Sequence, residues 1–133
     1  MQYLLLIYDQ EERWTKLSDA QSNSDLQEYE AFGKEFAKKI RGGNALQPTP
    51  TAKTVRVRNG ATQVTDGPFA ETKEQLGGYY LIEAKDLNDA IQVASKIPSA
   101  KTGSIGLRSG KYLGRKTRQA PAARMAFRTA LAL

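Results

Sequence analysis

Residues 3–8, YLLLIY, are apolar at nearly every position, and the DQEER that follows is charged. A strand-length apolar run without clean alternation predicts a strand covered on both faces, and so a central one. Trp14 and Leu17 then predict a short helical turn. In NSDLQEYEAFGKEFAKKIRGG, residues 23–43, the period changes to that of a helix. Leu26, Tyr29, Phe32, Gly33, Phe36 and Ile40 fall on one side. Ser24 with Gln27 three residues on reads as a capping box. Lys38, Lys39 and Arg41 suit the negative end of the helix dipole, and Gly42-Gly43 are the expected stop.

Gln47-Pro-Thr-Pro-Thr51 is too rich in proline for a central strand and predicts an extended connector or edge. AKTVRVR and ATQVT flank Asn59-Gly60, the strongest short-range hairpin signal, because a type I′ turn needs positive φ at both positions. Val55, Val57 and Val64 are expected to pack inward or across the pair, with Arg56 and Arg58 on the opposite face. Gly77 to Ala84 predicts a strand with Tyr79, Leu81 and Glu83 on one side and Tyr80, Ile82 and Ala84 on the other. KDLNDAIQVASKIP predicts a helix with Asp86 as N-cap, apolar positions at Leu87, Ala90, Ile91, Ala94 and Ile97, and a stop at Pro98. GSIGLRSG supplies a last short strand. The order predicts an α+β, ferredoxin-like split βαβ domain with both helices on one face of an antiparallel sheet. The other face, still apolar, is most simply covered by a second copy in a symmetric homodimer.

Composition changes this picture mainly by exclusion. At 133 residues the chain fits one domain. It has no Cys and no His, which removes disulfides, thiolate chemistry, histidine shuttles, catalytic triads and most zinc sites. No metal-ligand cluster, phosphate-binding glycine loop or cofactor motif is visible, and no cofactor is expected. The apolar run at residues 3–8 is too short for a bilayer, so no membrane association is expected and a cytoplasmic setting is the default. Charge is unevenly placed. Residues 1–100 carry 12 basic and 14 acidic side chains, whereas residues 101–133 carry 8 basic ones and no acid. The basic character therefore belongs to the C-terminal end.

TQVTDGPFAETKEQLGGYYLIEA, residues 62–84, collects turn-makers, charges and aromatics as no other stretch does. Together with MQYLLLIY and LQPTPTAKTVRVRNG, it resembles the DGPF branch of the YCII-related family over roughly residues 1–108. Asp66, Gly67, Pro68, Phe69, Glu71, Thr72, Lys73, Glu74, Gly77 and Gly78 carry the match. The resemblance implies a ferredoxin-like fold that pairs into a dimeric α/β barrel, an unestablished biochemical function, and a sigma factor as partner in transcription initiation. The wider family carries a His and an Asp suggestive of catalysis. Here no His exists, Tyr29 is the nearest candidate on the first helix, and Ile97 stands before Pro98 where related sequences have the Asp. Residues 109–133 form a basic extension outside the family pattern, for which a shifted reading frame and a selected feature account equally well. In that extension Ala122, Met125, Ala126 and Thr129 share a stripe after Pro121, and Met125, Phe127 or Leu131 is expected to dock on the body or on the partner subunit.

Two readings of the motif stand side by side. In one, Asp66-Gly67-Pro68 makes a turn, with Asp66 accepting local N–H groups and Phe69 filling the core. In the other, Asp66 is a catalytic acid or base near a cleft, with Arg56, Lys73, Glu74 and Tyr79 binding a small anionic ligand. Arg56 and Arg58 are equally a solvated strand face, and Tyr8, Tyr79 and Tyr80 are equally core. The basic extension favours phosphate backbones or anionic membranes only through charge, and without stacking aromatics specific nucleic-acid recognition is not expected. The missing chemistry favours a regulatory or ligand-binding module, with a small-molecule enzyme of the dimeric α/β-barrel type as the alternative.

Overall fold

The computed structural model describes residues 1–110. The expected tail helix and its docking lie outside the described residues. The elements in chain order are β1 (Gln2–Asp9), α1 (Glu11–Thr15), α2 (Asp19–Glu35), β2 (Ile40–Ala45), β3 (Lys53–Arg58), β4 (Ala61–Asp66), β5 (Gln75–Glu83), α3 (Leu87–Ser95) and β6 (Ser104–Ser109). Single 3-10 turns cover Thr49–Thr51 and Pro98–Lys101. Strands β2, β5, β1 and β6 pair in that order, antiparallel throughout, while β3 and β4 form a separate hairpin. Without the hairpin, the remaining strands and the helices α2 and α3 have a ferredoxin-like split βαβ layout, as the sequence pattern predicts. No described helix is long and apolar enough to cross a membrane.

β1 is central, between β5 and β6, and alternates more cleanly in burial than its sequence suggests. Tyr3, Leu5, Ile7 and Asp9 are buried beneath the helices, whereas Leu4, Leu6 and Tyr8 lie half-exposed on the far face. The core joins these inward side chains to Phe32 of α2, Ile82 and Ala84, and Ala90, Val93, Ala94 and Ile97 around α3. Phe32 packs its ring against Phe36 at 5.1 Å and Tyr80 at 5.0 Å between centroids, tilted as aromatic quadrupoles prefer. The expected faces of β5 hold, since Tyr80 and Ile82 lie opposite the inward Leu5 and Tyr3 and Tyr79 and Leu81 opposite the outward Leu6 and Leu4. At α3, Asp86 caps as expected, its side chain accepting from the Asp89 N–H at 2.8 Å. Leu87 and Ile91, expected on the buried face, are exposed.

Four further local expectations need correction. The capping box that starts α2 is Ser18 with Gln21, well before the expected Ser24 with Gln27. The helix ends at Glu35 with Phe36 as C-cap. Gly42 and Gly43 therefore do not stop it but pair in β2 with Leu81 and Tyr80. There the lack of a side chain matters, because a Cβ on Gly43 would sit 2.7 Å from the Tyr79 carbonyl oxygen. The hairpin turns at Asn59 and Gly60 with φ of 53° and 76°, the type I′ signature. Its valines do not pack inward: Val55, Val57 and Val64 are 61%, 58% and 59% exposed. Phe69, expected to fill the core, is 80% exposed.

Candidate functional site

The alternation that buries Tyr3, Leu5 and Ile7 carries on to Asp9, which is 0% exposed. A buried carboxylate needs partners, and three donors supply them. The Gln10 backbone N–H donates at 2.8 Å, the Thr102 hydroxyl at 2.6 Å, and Arg13 Nε at 3.4 Å. Arg13 also reaches Asp25 of α2 at 3.9 Å. The five-residue α1 is thus tied to the end of β1 by charge rather than by apolar burial, since none of its residues is buried.

Glu11 fixes the other side of α1. Its backbone N–H donates to Gln75 Oε1 at 3.0 Å, and its two carboxylate oxygens accept from the Thr49 N–H at 2.6 Å and the Thr49 hydroxyl at 2.7 Å. Held at both ends, α1 lays the Trp14 indole against Gly77 of β5. A Cβ at Gly77 would lie within 3.0 Å of Trp14 Cζ2 and nearer still to its neighbouring ring atoms.

Between this wall, α2 and the β2–β5 edge of the sheet lies a cavity of about 610 Å³, within the usual range of small-ligand pockets. Trp14, Tyr29 and Tyr80 give it an aromatic lining, Ile7 and Leu26 an aliphatic one, and residues 43–48 and 77–80 close the sheet side. The Tyr29 hydroxyl shares a 2.5 Å hydrogen bond with the hydroxyl of buried Ser99. Burial pushes the Tyr29 hydroxyl above its ordinary pKa of 10.0, against the lowering pull of the Ser99 contacts. Burial, with Tyr29 nearby, raises Tyr80 as well. Both phenols stay neutral donors at ordinary pH.

The residues singled out in the sequence are not gathered here. Tyr79 borders the cavity through β5, while its hydroxyl accepts from Asn44 Nδ2 at 2.9 Å. Asp66 ends β4, its side chain 85% exposed and paired with Lys53, outside the cavity lining. Its carboxylate meets a lysine rather than turn N–H groups, while Gly67 adopts the positive φ of 90° that the turn requires. Arg56 lies on the exposed hairpin opposite Gln63, and Lys73 is exposed. Glu74 accepts from the Ser104 hydroxyl at 2.7 Å. Among the described residues, no group of three or more His, Cys, Asp or Glu side chains could hold a metal ion. The pattern did hold a signal for Asp9, an acid on the buried phase of an apolar strand, and for Trp14 beside it. It held none for the pairing of Tyr29 with Ser99, 70 residues apart.

A model of the YCII-related domain matches residues 1–109. The chain belongs to the YCII-related family. A relative from Rhizobium meliloti (strain 1021), described as an uncharacterized protein, is 40% identical over 113 residues, covering 81% of this chain and 90% of that protein. Among solved structures, 5-chloro-2-hydroxyhydroquinone dehydrochlorinase from Burkholderia phenoliruptrix AC1100, in complex with 2,5-dihydroxybenzoquinone, is 13% identical with a TM-score of 0.45. That match covers 84% of this chain and 95% of that one. Membership in the YCII-related family covers the four-stranded body and the hairpin alike.

Proposed function

We propose that this YCII-related protein is a small-molecule-binding module whose ligand occupies the aromatic cavity between α1, α2 and the sheet. The observation that carries this reading is the cavity itself, about 610 Å³ and walled by Trp14, Tyr29 and Tyr80. Flat aromatic walls favour a planar, mainly apolar ligand. Among the described residues no Lys or Arg lines the cavity, and the one acid that does, Glu11, is already bonded to Thr49. The ligand is therefore neutral rather than the small anion that the charged motif suggested. The enzymatic alternative built on Asp66, with Arg56 and Lys73 holding an anion, draws on no neighbouring part of this cavity.

Trp14 is the sole tryptophan, so its fluorescence reports on the cavity alone. A library of neutral aromatic fragments should contain members that shift Trp14 emission saturably, and Ala45→Phe, which fills the lining, should abolish the shift. Fragments that bind without moving Trp14 emission, or that bind Ala45→Phe equally well, would overturn the reading.

Pairing belongs to the same proposal. The open sheet face carries Leu4, Leu6, Tyr8 and Leu81, and a two-fold homodimer through it covers these side chains. Light scattering at micromolar concentration tests this. A regulatory role beside a sigma factor, in the cytoplasm, is a further proposal from family resemblance, tested by co-purification with that factor.

A further inference from the structure

The β3–β4 hairpin carries more apolar surface than an isolated two-stranded ribbon has use for. Register places Val55 opposite Val64 and Val57 opposite Thr62, so the three valines share one face, with Arg56 and Arg58 on the other. Every residue of β3 and β4 is exposed except Thr54, which is half-buried, and Phe69 follows on the returning strand connection. The Gly67 N–H donating to the Ala52 carbonyl at 2.8 Å and the Thr54 hydroxyl to the Gly67 carbonyl at 2.8 Å close the base of the hairpin on itself, and among the described residues no hydrogen bond ties residues 53–66 to the four-stranded body. Two-stranded hairpins are marginal in water until one face is covered.

The area points to what covers it. Four strands about 4.8 Å apart and about six residues long give the open sheet face a projected area of roughly 400 Å². A stable pair buries about 800 Å² per partner. The open face alone is small for such a pair. The hairpin's valine face adds roughly 200 Å² by the same spacing, and Phe69 most of the 150–250 Å² that an aromatic side chain buries. Sheet face and hairpin together reach what a second copy needs.

We propose that the β3–β4 hairpin is an intersubunit arm, whose Val55, Val57 and Val64 face and Phe69 pack on a second copy of this chain. This rests on the two-fold pairing proposed above. Residues 46–48 lead into the arm and also line the cavity. The arm therefore springs from a segment that lines the cavity.

The full chain carrying Val55→Thr, Val57→Thr and Val64→Thr tests the arm by analytical ultracentrifugation across nanomolar to micromolar concentrations. The dimer dissociation constant should rise about 100-fold, equivalent to losing two strong interface contacts. Because the valines are exposed within the protomer, far-UV circular dichroism should be unchanged. As the chain lacks cysteine, Val57→Cys offers one thiol for an environment-sensitive dye. Its emission should be blue-shifted in the dimer and revert on dilution. A wild-type dimer with an unaltered constant in the triple variant, and a dye that reads as solvated throughout, would overturn the arm and leave the pairing intact. A wild-type monomer throughout would overturn both.

Discussion

Gly77→Ala is expected to damage the cavity through one contact. Its φ lies outside the left-handed region, so an alanine meets no backbone strain there. What it meets is the Trp14 indole, with Cζ2 at 3.0 Å and two further ring carbons nearer than that. Ordinary carbon contacts lie at about 3.5–4.0 Å, so the ring must retreat by roughly 1.5–2 Å, or β5 must bend. Overpacking of this kind costs about 1–3 kcal/mol. For a domain of this size each kcal/mol lowers the melting temperature by about 4–8 °C, so a fall of roughly 4–24 °C is expected. The retreating indole moves into the cavity, so Trp14 emission should shift and fragment binding should weaken. Trp14→Leu in the Gly77→Ala background should recover part of the stability, giving a coupling of about 0.5–3 kcal/mol in a double-mutant cycle. An unchanged melting temperature with unchanged emission, or strictly additive substitutions, would refute the account of how α1 sits on the sheet.

Asp9→Asn places an amide among three donors and should cost about 2–4 kcal/mol in urea denaturation, and a neutral result would show that Asp9 does not anchor α1. Tyr29→Phe leaves the buried Ser99 hydroxyl without its partner and should cost about 1–2 kcal/mol at neutral pH. Because the folded Tyr29 ionises above 10.0, its contribution is fully present below that pH and is lost as pH rises through the higher folded value. The wild type should lose this part of its alkaline stability and Tyr29→Phe should not. Lys39 donates to both oxygens of Asp89 at 2.7 and 2.6 Å, and these bonds, with the Lys85 N–H, hold that carboxyl below its ordinary 3.8. Asp89→Asn should therefore lower the urea midpoint above pH 3.8 and make progressively less difference as pH falls through the folded value.

Much of the sheet was legible because its signals are local. The apolar run of β1, the Asn59-Gly60 turn and the Asp86 cap each act within a few residues. The start of α2 was misread because Ser18-Asp-Ala-Gln21 and Ser24-Asp-Leu-Gln27 are equivalent boxes in series. Only the second precedes apolar spacing, and the polar first turns show no face to find. Gly42-Gly43 stops helices in sequence, but here the neighbour that rules out a side chain at Gly43 is the Tyr79–Tyr80 backbone, nearly forty residues away. The site was harder for the same reason. Asp66 drew notice because it stands among charges, whereas Asp9, Glu11 and Ser99 gain their roles from Thr102, Thr49 and Tyr29, all distant in the chain.

The central position of β1 governs the order in which the protein can be made. Residues 2–9 leave the ribosome well before their two partners, residues 75–83 and 104–109. Until the last of these emerges, YLLLIY has an unfilled hydrogen-bonding edge. Such distant pairing raises the contact order and slows folding, because loop closure must precede any gain from the contact. A nascent chain paused anywhere before β6 exposes a strongly β-prone segment with no charge among its six residues, the kind that seeds aggregation and engages chaperones. Ribosome-stalled chains ending near residue 95 should therefore resist compaction, whereas extending them beyond residue 110 and clear of the exit tunnel should release one cooperative folding event.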